Sequence, residues 1–118
     1  MRWPSLVAGC LGLAVLAGSV AADEPSLTIL FHIRPPYSEL GAPAGVKGLL
    51  VAPIIRAMSQ AELSAQWVEM PPARQTEEIK RAEGPVCSLG WFKRPEREEF
   101  AVFTAPIYQD NPSVVVAR

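Results

Sequence analysis

Residues 27–33 read LTILFHI, and this stretch decides the fold class. Its side chains are β-branched or large and apolar apart from a single histidine, so both faces of the strand are predicted to be buried. A strand of this kind is typical of the centre of a parallel sheet. Residues 48–62 follow with apolar side chains at helical spacing. Pro53 must lie in the first turn, because a proline inside a helix costs about 3 kcal/mol, so the regular helix is predicted to begin between Leu50 and Ala52.

The rest of the chain continues the alternation of strands and helices. Residues 64–70 predict a second strand, residues 72–83 a second helix, and residues 86–90 a third short strand. The order β-α-β-α-β predicts an α/β fold in three layers, with helices packed on a parallel sheet. Right-handed crossovers place the strands in the order second, first, third. Ligands of such sheets bind at the carboxyl ends of the strands, near the point where the order reverses.

The remaining segments are less regular. Residues 38–47 are predicted to be a loop by composition, and residues 95–98 one helical turn. Residues 100–103 and 113–117 are predicted to be short C-terminal strands. The last of these, SVVVA, is strongly apolar and no helix follows it, so we expect the chain to be a truncated part of a larger protein.

The N-terminal segment has the pattern of a targeting signal. In residues 1–22, Arg2 precedes an apolar run over residues 6–20, and small residues follow that suit cleavage. The run of about 15 residues is short of the roughly 20 that a membrane anchor needs. Cys10 resembles a lipidation site, but too few residues precede it for a complete signal. We therefore expect a cleavable signal peptide, a periplasmic location for residues 23–118, and no stable membrane anchor after cleavage.

The composition, together with the motifs that the sequence lacks, excludes several classes of function. The net charge of −1 does not favour a nucleic-acid partner, and 49% hydrophobic residues are too many for a disordered chain. The single histidine, His32, lies in the first strand and is interpreted as a buried residue with its hydrogen bonds satisfied, so no Ser-His-Asp or Cys-His site is expected. Cys87 is interpreted as a buried structural cysteine. No metal-ligand spacing and no glycine-rich phosphate loop is present in the sequence, so neither enzyme activity nor a cofactor is predicted.

What remains is a predicted binding surface with four candidate residues. Tyr37 follows two prolines at a strand end, and Trp91 and Phe92 follow the third strand. Arg97 lies just beyond, where its guanidinium could hold a carboxylate in bidentate fashion. Three alternatives stay open: Trp91 and Phe92 belong to the core, Tyr37 is ordinary surface, or Arg97 pairs with a neighbouring glutamate.

These residues resemble a known family. The strand ending in residues 35–37, the helix led by Gly48, the segment 90–97 (GWFKRPER) and the segment 103–108 (FTAPIY) are similar to extracellular solute-binding proteins of ABC transporters. The resemblance is to the polar amino acid-binding class with the type II periplasmic-binding fold, and it covers nearly all of residues 26–118.

The resemblance implies two α/β lobes with the ligand trapped between them, of which residues 23–118 would be the first lobe. It implies a small amino acid-like solute and an ABC transporter permease as partners, and weak or no binding by one lobe alone. The family arginine that grips the α-carboxylate matches Arg97, and the aromatic that stacks on the ligand matches Tyr37. Phe92 stands where the family often has serine or threonine. The alternatives are a sensory or substrate-binding domain of a larger membrane-bound signalling protein or cell-wall enzyme, and a non-functional remnant.

Overall fold

A computed structural model describes residues 26–42, 44–81 and 83–117. The predicted signal peptide, residues 1–22, lies outside these described residues. The elements in chain order are β1 (Ser26–Phe31), β2 (Glu39–Gly41), β3 (Gly45–Lys47), α1 (Val51–Gln60), β4 (Ser64–Glu69), α2 (Pro72–Arg81), β5 (Val86–Ser88) and α3 (Pro95–Glu98).

The main sheet has three parallel strands in the order β4-β1-β5. Ile29 of β1 is in register with Trp67 of β4 and with Cys87 of β5. This is the order that right-handed crossovers predict, with the first strand in the centre. The strand order therefore reverses at the carboxyl end of β1.

The two faces of β1 pack against different helices. Ile29 and Phe31 belong to a core cluster that includes Val51 of α1. Neighbouring side chains of a strand point to opposite faces, so Leu30 and its register partner Ser88 lie on the other face. There the hydroxyl of Ser88 bonds to Gln75 of α2. The fold is therefore α/β with three layers, the sheet lying between α1 and α2.

Both long helices begin where the proline positions require. Helix α1 begins at Val51, which leaves Pro53 in the first turn. Helix α2 begins at Pro72, a position at which a backbone N–H would have no partner within the helix, so proline removes no hydrogen bond there. Each helix has ten residues. In the part of the chain that the structure describes, no helix is long and apolar enough to cross a membrane.

The segment predicted to be a loop, residues 38–47, instead contains an antiparallel hairpin of β2 and β3. Its short strands escape prediction because each has only three residues, too few to show an alternating pattern. Val46 of β3 is almost fully buried in the core cluster. The hairpin thus covers one end of the core on the α1 face of the sheet.

The predicted short C-terminal strands are wrong for the residues that the structure describes. In residues 100–103, the amide groups of Phe100 and Ala101 donate to the carbonyl of Arg97, so the chain turns rather than pairs. In residues 113–117, no described residue pairs with the backbone, and Val115 is 96% exposed. A strand needs a neighbour for its ladder of hydrogen bonds, and β-branched composition alone does not provide one.

Candidate ligand-binding cleft

A cleft of about 330 Å³ lies at the carboxyl edge of the sheet. It is bounded by the chain after β1, by the first turns of α2 and by the chain after β5. The lining residues are His32, Arg34, Pro72, Ala73, Thr76, Gly90, Trp91, Phe92 and Arg97. This is the position, beside the reversal of strand order, at which α/β sheets bind ligands. Three of the four predicted site residues lie in its wall.

A fully buried amide, that of Gln75, holds one side of the cleft. Its Oε1 accepts hydrogen bonds from Ser88 Oγ at 3.0 Å and from Trp91 Nε1 at 3.2 Å. Its Nε2 donates to the carbonyl oxygen of Met70 at 2.8 Å. The amide therefore links α2, the end of β5 and the chain after β4, and it fixes the orientation of the indole.

The indole of Trp91 in turn supports Arg97. The guanidinium carbon of Arg97 lies 4.9 Å from the centroid of the Trp91 ring, a cation–π contact. Nη1 of Arg97 donates to the carbonyl oxygen of Phe92 at 2.9 Å. These two contacts engage one face and one donor of the guanidinium. Since an arginine has five N–H donors, most of them remain available to a ligand.

The charge of Arg97 is not neutralised by its glutamate neighbours. Lys93 pairs with Glu98 at 2.9 Å, and Arg94 with Glu96 at 3.9 Å. Among the described residues, no carboxylate oxygen lies within 4.0 Å of Arg97, so the alternative that it pairs with a neighbouring glutamate is not observed.

The two aromatic residues after β5 have different surroundings. Trp91 is half-buried, with its Nε1 held by Gln75, whereas the Phe92 side chain is 66% exposed. Phe92 is therefore not a core residue. It forms a solvent-facing wall of the cleft, while Trp91 forms part of the floor.

Tyr37 lies at the same edge of the sheet but outside the cleft wall. Its hydroxyl donates to Asp110 Oδ2, and its ring packs edge-to-face on Tyr108 at 6.2 Å between centroids. The guanidinium carbon of Arg34 lies 4.8 Å from the Tyr37 ring centroid, and Arg34 does line the cleft. The hydrogen bond to Asp110, together with burial, raises the pKa of Tyr37. The tyrosine thus supports Arg34 rather than facing the cleft itself.

The placement of His32 differs from the one expected. Strand β1 ends at Phe31, so His32 follows the strand, is half-buried and lines the cleft. Its Nδ1 is buried and has no hydrogen-bond partner in the part of the chain that is described. Its backbone carbonyl accepts a hydrogen bond from Ser38 Oγ at 2.7 Å. The interpretation of His32 as a fully satisfied core histidine is therefore wrong.

Comparison of the chain with protein-family models, curated proteins and solved structures found no match. Within the described ranges, no group of three His, Cys, Asp or Glu side chains could hold a metal ion.

Gln75 is the site residue that sequence reasoning missed. Helix α2 carries one large aliphatic residue, Ile79, and the residues three and four positions earlier on the same face are Thr76 and Gln75. Because that face must meet the sheet, a polar side chain must be buried there and must find partners. The spacing from Ile79 is the signal that could have found it.

A second cleft, of about 380 Å³, lies between the hairpin and β4, lined in part by Leu40, Trp67 and Glu69. Phe31, which also lines it, belongs to the α1 face of the sheet. This cleft lies on the α1 face of the sheet, and among the described residues its lining includes the carboxylate of Glu69 but no guanidinium. We therefore place the candidate site at the cleft that contains Arg97.

Proposed function

We propose that this chain is a periplasmic solute-binding module of the type II periplasmic-binding fold. In this proposal it forms the first lobe of an ABC transporter receptor, binds a small polar solute of the amino acid-like class and passes it to the transporter permease. One observation carries the proposal. A guanidinium with no carboxylate partner among the described residues lies on an aromatic ring, in a cleft at the carboxyl edge of a parallel sheet.

The chemistry of the cleft suits reversible capture of a carboxylate. A guanidinium forms two parallel N–H···O bonds with a carboxylate, and these charge-assisted bonds are stronger than neutral ones. Stacking on Trp91 and the bond to the Phe92 carbonyl restrict the Arg97 side chain before the ligand arrives. Such restriction lowers the entropy lost on binding. The proposal includes no catalytic step.

Binding to this lobe by itself is expected to be weak. The Phe92 side chain is 66% exposed, so the cleft is open to solvent on that side. Ligands that bind tightly usually have most of their surface buried. In the proposed receptor a second lobe would close over the ligand by hinge motion. We expect dissociation constants in the millimolar range for the lobe alone.

A titration followed by two-dimensional ¹H–¹⁵N NMR tests the proposal at this affinity. The full 118-residue chain is titrated with the common amino acids and with simple organic acids, amines and sugars. The indole N–H of Trp91 reports on the cleft, and that of Trp67, which packs against the core on the other face of the sheet, is the internal control. Trp91→Phe and Trp67→Phe identify these two signals among those of the three tryptophans in the sequence.

A saturable shift of the Trp91 signal, with the Trp67 signal unchanged, is the expected result. If no solute in the panel moves the Trp91 signal at millimolar concentrations, the chain does not bind small solutes at this cleft and the proposal is wrong.

A further inference from the structure

We infer that the solute of this cleft is an organic acid anion with a flat apolar body and without an ammonium group. This inference rests on the proposed solute-binding function and narrows the ligand class. It differs from the expectation of an amino acid, which carries an ammonium beside its carboxylate.

The charged groups of the cleft have one sign. Two guanidinium groups, those of Arg34 and Arg97, line it, and no aspartate or glutamate of the described residues does. Among the described residues neither arginine has a carboxylate oxygen within 4.0 Å. Each is held by an aromatic ring instead, Arg34 by Tyr37 and Arg97 by Trp91. A cleft with two positive charges and no negative one attracts anions and repels cations.

The hydrogen-bond acceptors at the cleft are neutral groups, because no carboxylate of the described residues lines it. Gln75 Oε1 accepts two hydrogen bonds, and the Phe92 carbonyl accepts one from Arg97. The Thr76 hydroxyl donates to the carbonyl of Pro72. An ammonium group has three donors and loses its water on entering a site, so it needs acceptors there. An amino acid in this cleft would place its ammonium without a carboxylate partner among the described lining residues and close to two arginines.

The backbone at the start of α2 also favours a negatively charged ligand. The first residues of α2, Pro72 and Ala73, line it, and the first turn of that helix carries no acidic side chain. The N-terminal end of a ten-residue helix adds a partial positive charge. This is a supporting contribution, and the two guanidinium groups remain the main source of the preference.

The apolar part of the wall indicates the shape of the ligand body. Phe92 presents an exposed ring, and Trp91, Pro72 and Ala73 present further apolar surface around it. Flat rings stack favourably on such side chains. A carboxylate at the arginines with a planar body against Phe92 would use both kinds of surface.

Three probes with the same phenyl ring separate the charge requirements. They are 3-phenylpropanoate, L-phenylalanine and 2-phenylethylamine, which carry the carboxylate alone, both groups and the ammonium alone. Each is titrated into the full 118-residue chain, and the indole N–H signal of Trp91 is followed by NMR. We expect 3-phenylpropanoate to bind about tenfold more tightly than phenylalanine, a difference of about 1.4 kcal/mol, and the amine not to bind.

Single arginine variants test whether 3-phenylpropanoate binds at Arg34 and Arg97. Arg97→Gln and Arg34→Gln should each weaken 3-phenylpropanoate binding at least about fivefold, because each removes charge-assisted hydrogen bonds to the carboxylate. Arg56→Gln should leave binding unchanged, since Arg56 is exposed on α1 across the sheet from the cleft. Circular dichroism of each variant confirms that it is folded.

The outcomes distinguish this inference from the proposed function. If phenylalanine or the amine binds as tightly as 3-phenylpropanoate and shifts the Trp91 signal, the anion inference is wrong and the solute-binding function stands. The inference is also wrong if both arginine variants bind 3-phenylpropanoate like the unaltered chain. If neither these probes nor any solute of the wider panel shifts the Trp91 signal, both proposals are wrong.

Discussion

The side-chain oxygen of Gln75 accepts a hydrogen bond from the indole Nε1 of Trp91 at 3.2 Å. This bond joins a fully buried polar residue of α2 to the aromatic ring that carries Arg97. Gln75 therefore fixes the position of Trp91 in the cleft wall although it does not itself line the cleft. A binding site built in this way depends on the packing of the core as well as on its own wall.

Removing the Gln75 amide should destabilise the protein and loosen the cleft together. Gln75→Ala leaves Trp91 Nε1 and the Met70 carbonyl without their partners, so we expect a loss of about 3 kcal/mol in the free energy of unfolding. Gln60→Ala, at an exposed position of α1, should cost less than about 0.5 kcal/mol. Urea unfolding of both variants measures this, and equal stabilities would contradict the role given to Gln75.

Gly48 is required because the backbone of Tyr37 approaches it closely. Gly48 has a φ of 137°, and a Cβ there would overlap the Tyr37 carbonyl oxygen. Gly84 also has a positive φ, of 78°, but a Cβ there would meet nothing within 4 Å. Gly48→Ala should therefore cost on the order of 3 kcal/mol and Gly84→Ala about 1 kcal/mol. Thermal unfolding of the two variants compares them, and similar melting temperatures would exclude the close approach as the cause.

The ionisation of Tyr37 should depend on Asp110. The Tyr37 hydroxyl donates to the Asp110 carboxylate, and ionisation would break this bond and place a phenolate beside a negative charge, so the pKa of Tyr37 is raised. Asp110→Asn should lower that pKa toward its ordinary value of about 10. Absorbance titration in a Tyr108→Phe background, where Tyr37 is the one tyrosine in the sequence, measures the shift. An unchanged midpoint after Asp110→Asn would argue against the contact.

Cys87 should make the fold less stable at alkaline pH. Burial raises the pKa of its thiol above the ordinary value of 9.0, so the folded state holds the proton more tightly than the unfolded state. The stabilisation is fully present below the unfolded pKa and is lost as the pH rises through the folded pKa. The difference in stability between the unaltered chain and Cys87→Ala should therefore shrink between about pH 8 and about pH 10. Urea midpoints that keep the same separation across this range would refute the prediction.

Truncation to alanine should lower the free energy of unfolding at one valine and leave it almost unchanged at another. Val51 is fully buried in the core cluster, and Val115 is 96% exposed. Val51→Ala should cost about 2 kcal/mol, and Val115→Ala should change the free energy of unfolding by less than about 0.5 kcal/mol. If Val115→Ala were as costly as Val51→Ala, residues 113–117 would be packed as the sequence pattern predicts. Guanidinium unfolding of both variants decides between the two.

Prediction succeeded where the signal is local and strong. The apolar run at β1 and the proline-limited starts of α1 and α2 gave the correct α/β alternation and the strand order β4-β1-β5. It failed for β2 and β3, because three-residue strands are defined by pairing with each other and not by their own composition. Of the four residues predicted to bind a ligand, Trp91, Phe92 and Arg97 line one cleft and Tyr37 lies beside it, and their role in binding stays a prediction.

The sequence by itself determined the alternation of β1, β4 and β5 with α1 and α2, and the order of these three strands in the sheet. Periodicity, prolines and crossover handedness are enough to specify this much. Only the tertiary structure decided that Gln75 would hold Trp91 and that Arg97 would remain without a carboxylate among the described residues. It alone left Val115 exposed although its sequence favours a strand. Such outcomes depend on which groups from distant parts of the chain come within a few ångströms of each other, and local sequence pattern does not encode that.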